Sequence, residues 1–354
     1  MPIFDQGYQH WNGRLSGHAW RWLAVTREGV RAQWKKRATR HAVLVAFGPA
    51  LILSALLIIW GLLEQQSSLL DALRPLLRGL PPEIVEGPKP YRASFWTMAY
   101  HYFFQVQTFF AMLLVLIVGP DLISQDLRFN AIPLYFSRPL RRIDYFVGKL
   151  GVIACYLAVV TIGPALAAYL LGLAFSFELS VFRDTARLMA GVLGYGLLIV
   201  VSAGTLMLAL SSLSRSSRFV GAAWVGVWVV GNIAAQTLQE TVRQDWCPLV
   251  SYTRNLDRMR TVLLDTESAR AQFLALYEAG LSAGRAAARP AMPFPFGRAR
   301  RRLRPEPPPE PPAVLEGLKS ADYPWTWSAG VLAGLFVVSA WTLGTRVKSL
   351  DRLK

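Results

Sequence analysis

The chain has 354 residues, 53% of them hydrophobic and 17% charged, with a mean hydropathy of +0.32. So much apolar sequence, gathered in long runs, excludes an ordinary soluble domain. The net charge of +16 would suit a nucleic-acid binder, but in such a chain it reads as membrane topology and attraction to anionic headgroups, so no nucleic-acid partner is expected.

Residues 1–41 are polar and basic and show neither the short apolar core nor the small-residue cleavage site of a signal peptide. Within them Arg14 to Arg40 reads as a basic helix. Trp20, Leu23, Ala24, Val30 and Trp34 fall near one face, as in an interfacial helix with Trp anchors. Runs free of Asp, Glu, Lys and Arg then cover Ala42 to Leu63, Ala93 to Pro120, Leu150 to Phe177, Leu188 to Ser214, Phe219 to Gln239 and Tyr323 to Thr345. Each exceeds the ~20 residues that a helix needs to cross a bilayer. They lack the alternation of barrel strands, so helices are the remaining way to satisfy their backbone in lipid. The expected fold is an all-α integral membrane protein with six transmembrane helices, five within 42–236 and the sixth at 323–345.

Gly48-Pro49 and Gly163-Pro164 should kink the first and third spans. The fourth is rich in small residues, among them Gly191, Gly194, Gly196, Ser202, Ala203 and Gly204, which permit close helix approach. Gln105 and Gln107 in the second span, with Asn232 and Gln236 near the far end of the fifth, are candidates either to line a path or to bond between helices. His101, between Tyr100 and Tyr102, has the setting of an aromatic belt.

Six spans place both termini on one side, expected to be the cytoplasm. The N-terminal region, Gly119 to Lys149, the Ser211 to Arg218 turn and the tail 346–354 then carry 19 of the 38 Lys and Arg residues, while the short outer loops Glu64 to Arg92 and Glu178 to Arg187 carry 6. That bias follows the positive-inside rule. The long segment 237–322 carries 13 and is assigned outside, because long loops translocate largely regardless of charge. Its part from Thr241 to Gly280 is amphipathic and expected to be helical in places. The Arg- and Pro-rich stretch 281–312 cannot bury a core and is expected to be disordered or extended.

Several chemistries are missing from the sequence. There is no G-x-x-x-x-G-K-[ST] phosphate loop, since Gly148-Lys149 lacks the upstream glycine. No H-E-x-x-H or Cys/His cluster offers a metal site, and Cys155 and Cys247 are placed too differently to pair. No base accompanies Ser202. The chain is expected to have no catalytic residues and to bind no metal or cofactor.

Gly119 to Lys149 is the one polar stretch with a recognisable design. Asp121, Gln125, Asp126 and Arg128 form a polar patch just past the second span, Pro133 is expected to end that helix, and Ser137 precedes Arg138-Pro139 as a cap with Pro in the first turn. Arg141, Arg142 and Lys149 flank the third span. The order Gly119, Leu122, Ile123, Ser124, Asp126, Arg128, then Ser137, Arg138, Pro139, Arg142, Tyr145, Gly148, Lys149 resembles the permease subunits of ABC-2-type exporters, the branch with six helices and a separate ATPase.

The resemblance implies an ABC-2-type permease fold in the plasma membrane of a bacterium (its inner membrane). It implies that Asp121, Gln125, Asp126, Arg128, Arg138, Pro139, Arg141 and Arg142 dock on a cytosolic ATPase, which would hold the ATP and Mg. A second copy or a related permease would complete the complex, among membrane lipids and with an extracytoplasmic partner where the complex does envelope work. Two features depart from the family pattern. Asp126 stands where a Glu is common, and the insert 281–312 is unusual, so no family role carries over to it. The alternative is an ATP-independent channel or secondary transporter, which would call for ionisable groups inside the spans or for repeat symmetry.

Overall fold

The computed structural model describes residues 20–67, 75, 81–136, 140–176, 178, 180–287 and 311–350. Among these residues the secondary structure is helical, without strands. Six stretches are long and apolar enough to cross a bilayer: Arg37–Glu64, Lys89–Arg128, Arg142–Ser176, Ser180–Leu213, Ser217–Val242 and Trp325–Arg346. These are the six expected spans, with longer ends. The fourth helix starts at Ser180, so Arg183, Asp184 and Arg187, expected in an outer loop, ride on its first turns. The fifth continues to Val242, past the expected boundary at 236, and includes a π-helical turn at Gly226–Val230.

The second and fourth spans form the core, and the small residues of the fourth set how closely its neighbours approach. A Cβ on Gly196 would sit 2.6 Å from Ile162 of the third span, and one on Gly204 would sit 2.7 Å from Leu150. In lipid such van der Waals contact is a main source of helix association.

The first span breaks around Phe47 and the third around Thr161, next to their Gly-Pro pairs. Pro164 has no N–H to give Val160, four residues back. At the first break the turn tightens, so Ala50 donates to Phe47 rather than to Ala46. Both stranded carbonyls are answered by one side chain: Gln107 Nε2 donates to Ala46 O at 3.1 Å and to Val160 O at 2.6 Å.

Segment 237–322, expected to be helical in places, folds back against the bundle. The fifth span ends at Arg243, in left-handed backbone (φ 54°). The short turn Cys247–Val250 folds back against that span. Helix Tyr252–Leu263 then runs antiparallel to the fourth span. Tyr252 shares a hydrogen bond with Ser202 at 2.8 Å, and a Cβ on Gly191 would lie 2.0 Å from the Leu263 carbonyl. This helix re-enters the bundle because it carries its own apolar face, with Tyr252, Leu256 and Leu264 buried.

Helix Thr266–Ala287 covers the start of the second span, where Gln272 accepts from Ser94 and donates to Pro90 O at 3.1 Å. Residues 281–287 are therefore helical rather than disordered or extended. The stretch 288–310 lies outside the described residues. His101 and Tyr100 are 2% and 0% exposed rather than belt residues. Tyr100 donates to Ala165 O of the third span at 2.8 Å, and His101 faces the re-entrant segment.

Candidate coupling site

Gly119 and Pro120 bend the chain out of the second span, and Gly119 is pressed so closely on Met207 that a Cβ would lie 2.2 Å from its Cγ. Helix Asp121–Arg128 follows. The N–H groups at a helix start need partners from outside the helix. Here they come from the fourth span: Ser211 Oγ accepts from Ile123 at 3.1 Å and Ser124 at 3.0 Å, and donates to Pro120 O at 2.9 Å. The helix closes in a Schellman turn, with Asn130 left-handed (φ 50°) and Ala131 N–H bonded to Asp126 O at 2.8 Å. The expectation that Pro133 ends this helix is thus corrected. Asn130 does so three residues earlier, and Pro133 sits in the first turn of the next helix, Ile132–Phe136, where its missing N–H costs nothing.

Both acids of helix Asp121–Arg128 point inward. Asp121 is ion-paired with Lys36, in the link between helix Arg21–Trp34 and the first span. Asp126 receives Lys149 Nζ at 2.6 Å and the Tyr145 hydroxyl at 2.6 Å. The Asp126 and Lys149 side chains are 15% and 10% exposed, and the ammonium also lies over the rings of Tyr135 and Tyr145, 5.6 and 5.4 Å from their centroids. A pair this well covered binds its elements in one register, since either charge alone would be left buried. Asp144 accepts from Arg141 N–H at 3.2 Å and so caps the third span.

Helix Arg21–Trp34 lies on the same part of the third span. A Cβ on Gly148 would reach Val25 at 2.6 Å, one on Gly151 would reach Thr26 at 2.4 Å and one on Gly29 would reach Val152 at 2.4 Å. Thr26 donates to Gly148 O at 3.0 Å and Tyr156 to Val30 O at 2.8 Å. Trp20, Leu23 and Trp34 face away from the protein, as interfacial anchors do.

The expected site residues therefore divide. Gln125, Arg128 and Arg141 are exposed, beside the apolar side chains of Phe129, Leu134 and Ile143, and Arg128 lies 5.5 Å over the Phe129 ring. Arg142 is half-buried. Asp121 and Asp126 are internal fasteners. Arg138 and Pro139, with Ser137, lie outside the described residues. Of the four polar residues proposed for a path, Gln107 is buried at the helix breaks and Gln105 is exposed. Asn232 accepts from Arg254 at 3.3 Å, and Gln236 donates to Glu240 at 3.3 Å.

Sequence reasoning missed Lys36, Ser211 and the pairing of Asp126 with Lys149. Tyr145 and Lys149 were legible as neighbours one helical turn apart, but nothing along the chain announces Lys36 as the partner of Asp121 or Ser211 as that of Ile123 and Ser124. A second missed cluster closes the opposite end of the bundle. Arg92, 2% exposed, is held by Glu64 at 2.6 and 2.7 Å, Asp184 at 2.9 Å and Glu178 at 3.3 Å. The hydrogen bond from Lys89, with help from Ser180 and Arg92, draws the Glu178 carboxyl down to about 2.

Six candidate spans, a re-entrant helix before the last of them and a braced polar elbow after the second define a polytopic helical membrane protein. The family model for ABC-2 family transporter proteins matches residues 89–272, and the chain belongs to that family. It is thus a transmembrane permease of an ABC system, a family whose members are typically non-catalytic membrane subunits working with an ABC ATPase. Neither a curated protein nor a solved structure matches the chain.

Proposed function

We propose that this permease couples a separate cytosolic ATPase to export, or to mechanical work on the envelope, through Gly119 to Lys149. The observation that carries the reading is the double fastening of the elbow. Asp121 ties it to Lys36 and Asp126 ties it to Lys149, while Gln125, Arg128, Phe129 and Leu134 are left facing out. A partner gripping that outer face would move the second and third spans and helix Arg21–Trp34 together, as a rigid body rather than a loop. The ATP and Mg would sit on the partner, both termini and the elbow in the cytoplasm of a bacterial cell, and a second copy or a related permease would complete the translocation path. The domain limits 1–41, 42–236, 237–322, 323–345 and 346–354 are retained as the frame of this proposal, with the helix ends shifted as described.

The test is co-purification from detergent with the ATPase encoded beside this gene, followed by Arg128→Glu. We expect the ATPase to co-purify with the wild type and its stimulation to fall at least several-fold in the variant, with the permease's thermal midpoint unchanged because Arg128 makes no ion pair among the described residues. Unchanged stimulation would place the docking surface elsewhere, and absence of any ATPase would sink the reading.

A further inference from the structure

We infer that the re-entrant segment builds a phosphate-binding pocket inside the end of the bundle remote from the elbow, a site independent of the coupling proposal. Helix Tyr252–Leu263 brings Arg254, Arg258 and Arg260 to a cavity of about 460 Å³ whose wall includes His101 of the second span, Asn232 of the fifth and Tyr323 at the foot of the sixth. His101 lies nine residues beyond Arg92 on its helix, about 13 Å further along the span at 1.5 Å per residue. The cations are thus carried to membrane depth by a segment that is not itself a span. Ionisable groups held at such depth mark ligand or ion sites by default.

Several buried side-chain nitrogens without a hydrogen-bond partner gather around this cavity. Arg260 is 4% exposed, yet its Nε has no hydrogen-bond partner, and its Nη1 lies 3.0 Å from the Asp257 carboxylate without the alignment of a hydrogen bond. His101 Nδ1 and Arg258 Nε are likewise buried and unpartnered. The guanidinium nitrogens among them are obligate donors and come from two residues lining one cavity. A buried donor left unmade is costly, most of all on a charged group, so several in one place call for an acceptor.

The charge balance agrees. Of the lining acids, Asp257 is taken up by Arg260 and Asp322 by Lys319 at 3.9 Å on the rim, with Asp245 beside them. Arg254 bonds only the neutral Asn232 and Gln239, and Arg258 bonds the Tyr323 carbonyl at 2.8 Å and lies 5.6 Å over its ring. Among the described residues neither arginine has a carboxylate partner. Planar guanidinium forks suit oxyanions. Two guanidinium groups without a carboxylate partner suit the double charge and several oxygens of a phosphate better than the single charge and two oxygens of a carboxylate. The remaining volume admits more than a bare phosphate, so the phosphate could belong to a lipid headgroup or to a free anion.

The experiment uses the full-length protein, purified in phosphate-free buffer and stripped of lipid. Inorganic phosphate and short-chain phosphatidic acid are titrated separately by calorimetry and thermal shift, with the matching neutral diacylglycerol as control. We expect saturable binding of at least one of the two anions, weakened about tenfold or more by Arg258→Gln, as loss of a charge-assisted hydrogen bond implies. Binding of the lipid alone assigns a headgroup site, and binding of phosphate alone assigns a soluble ligand. Should Arg258→Gln fail to fold, Lys319→Gln, whose exposed side chain sits on the rim, must weaken the same anion in the same direction. The proposal is overturned if neither anion saturates, if the neutral diacylglycerol binds as tightly, or if the folded variants bind like the wild type.

Discussion

Asp126 and Lys149 show how burial changes the meaning of a polar residue. Read along the chain, Asp126 is a charge offered to a partner. In the fold its carboxylate already has the Lys149 ammonium and the Tyr145 hydroxyl, each at 2.6 Å. Removing one member of such a pair strands the other, a loss of about 3–5 kcal/mol. Asp126→Asn should therefore lower the thermal midpoint of the detergent-purified protein, and Asp126→Asn with Lys149→Met should recover part of the loss in a double-mutant cycle. Additive losses would mean that the two side chains do not act as a pair. Arg128, two residues on and facing out, should behave in the opposite way, with stability intact and coupling impaired.

At the scale of elements, the broken helices are more informative than the straight ones. The Gly-Pro pairs foretold the breaks at Phe47 and Thr161, but not that a single amide from a third helix would serve both. Gln107→Leu leaves the Ala46 and Val160 carbonyls without that donor in a region from which lipid excludes water. A cost of about 1–3 kcal/mol for each unpaired group is expected, read as a lower thermal midpoint with membrane insertion unchanged. A midpoint equal to the wild type would show that the carbonyls find other partners. The same logic explains helix Arg21–Trp34. Of its predicted apolar face Trp20, Leu23, Ala24 and Trp34 turn outward and Val30 packs against the core, while Thr26 and Gly29 meet Gly148, Gly151 and Val152, because only small residues allow two helices to touch backbone to side chain at that distance.

At the scale of the whole molecule, the two ends differ in kind. One end presents the elbow with an exposed mixture of polar and apolar side chains, and the other is closed by the Arg92 cluster and the helices that precede the sixth span. The proposed orientation is checked with a membrane-impermeant thiol reagent on intact cells, in a background where the exposed Cys155 is replaced. A cysteine at Glu278, exposed on helix Thr266–Ala287, should be labelled from outside, and one at Gln125 only after permeabilisation. The reverse pattern would invert the topology and remove the elbow from reach of a cytosolic ATPase.

The sequence by itself determined the number of spans, their helical nature, the two break sites and the elbow motif after the second span. All of these follow from local properties, namely the length of apolar runs, the missing N–H of proline and the order of residues within some thirty positions. Only the tertiary structure decided that Asp121 and Asp126 are fasteners, that Lys36 and Ser211 hold the elbow, that Arg92 gathers three carboxylates, and that three arginines from segment 237–322 line one cavity with His101 of the second span. Those outcomes rest on contacts between residues dozens to scores of positions apart. Charge pairing and hydrogen bonding act through space, and a pattern read along the chain records which groups need partners but not which groups will be near enough to supply them.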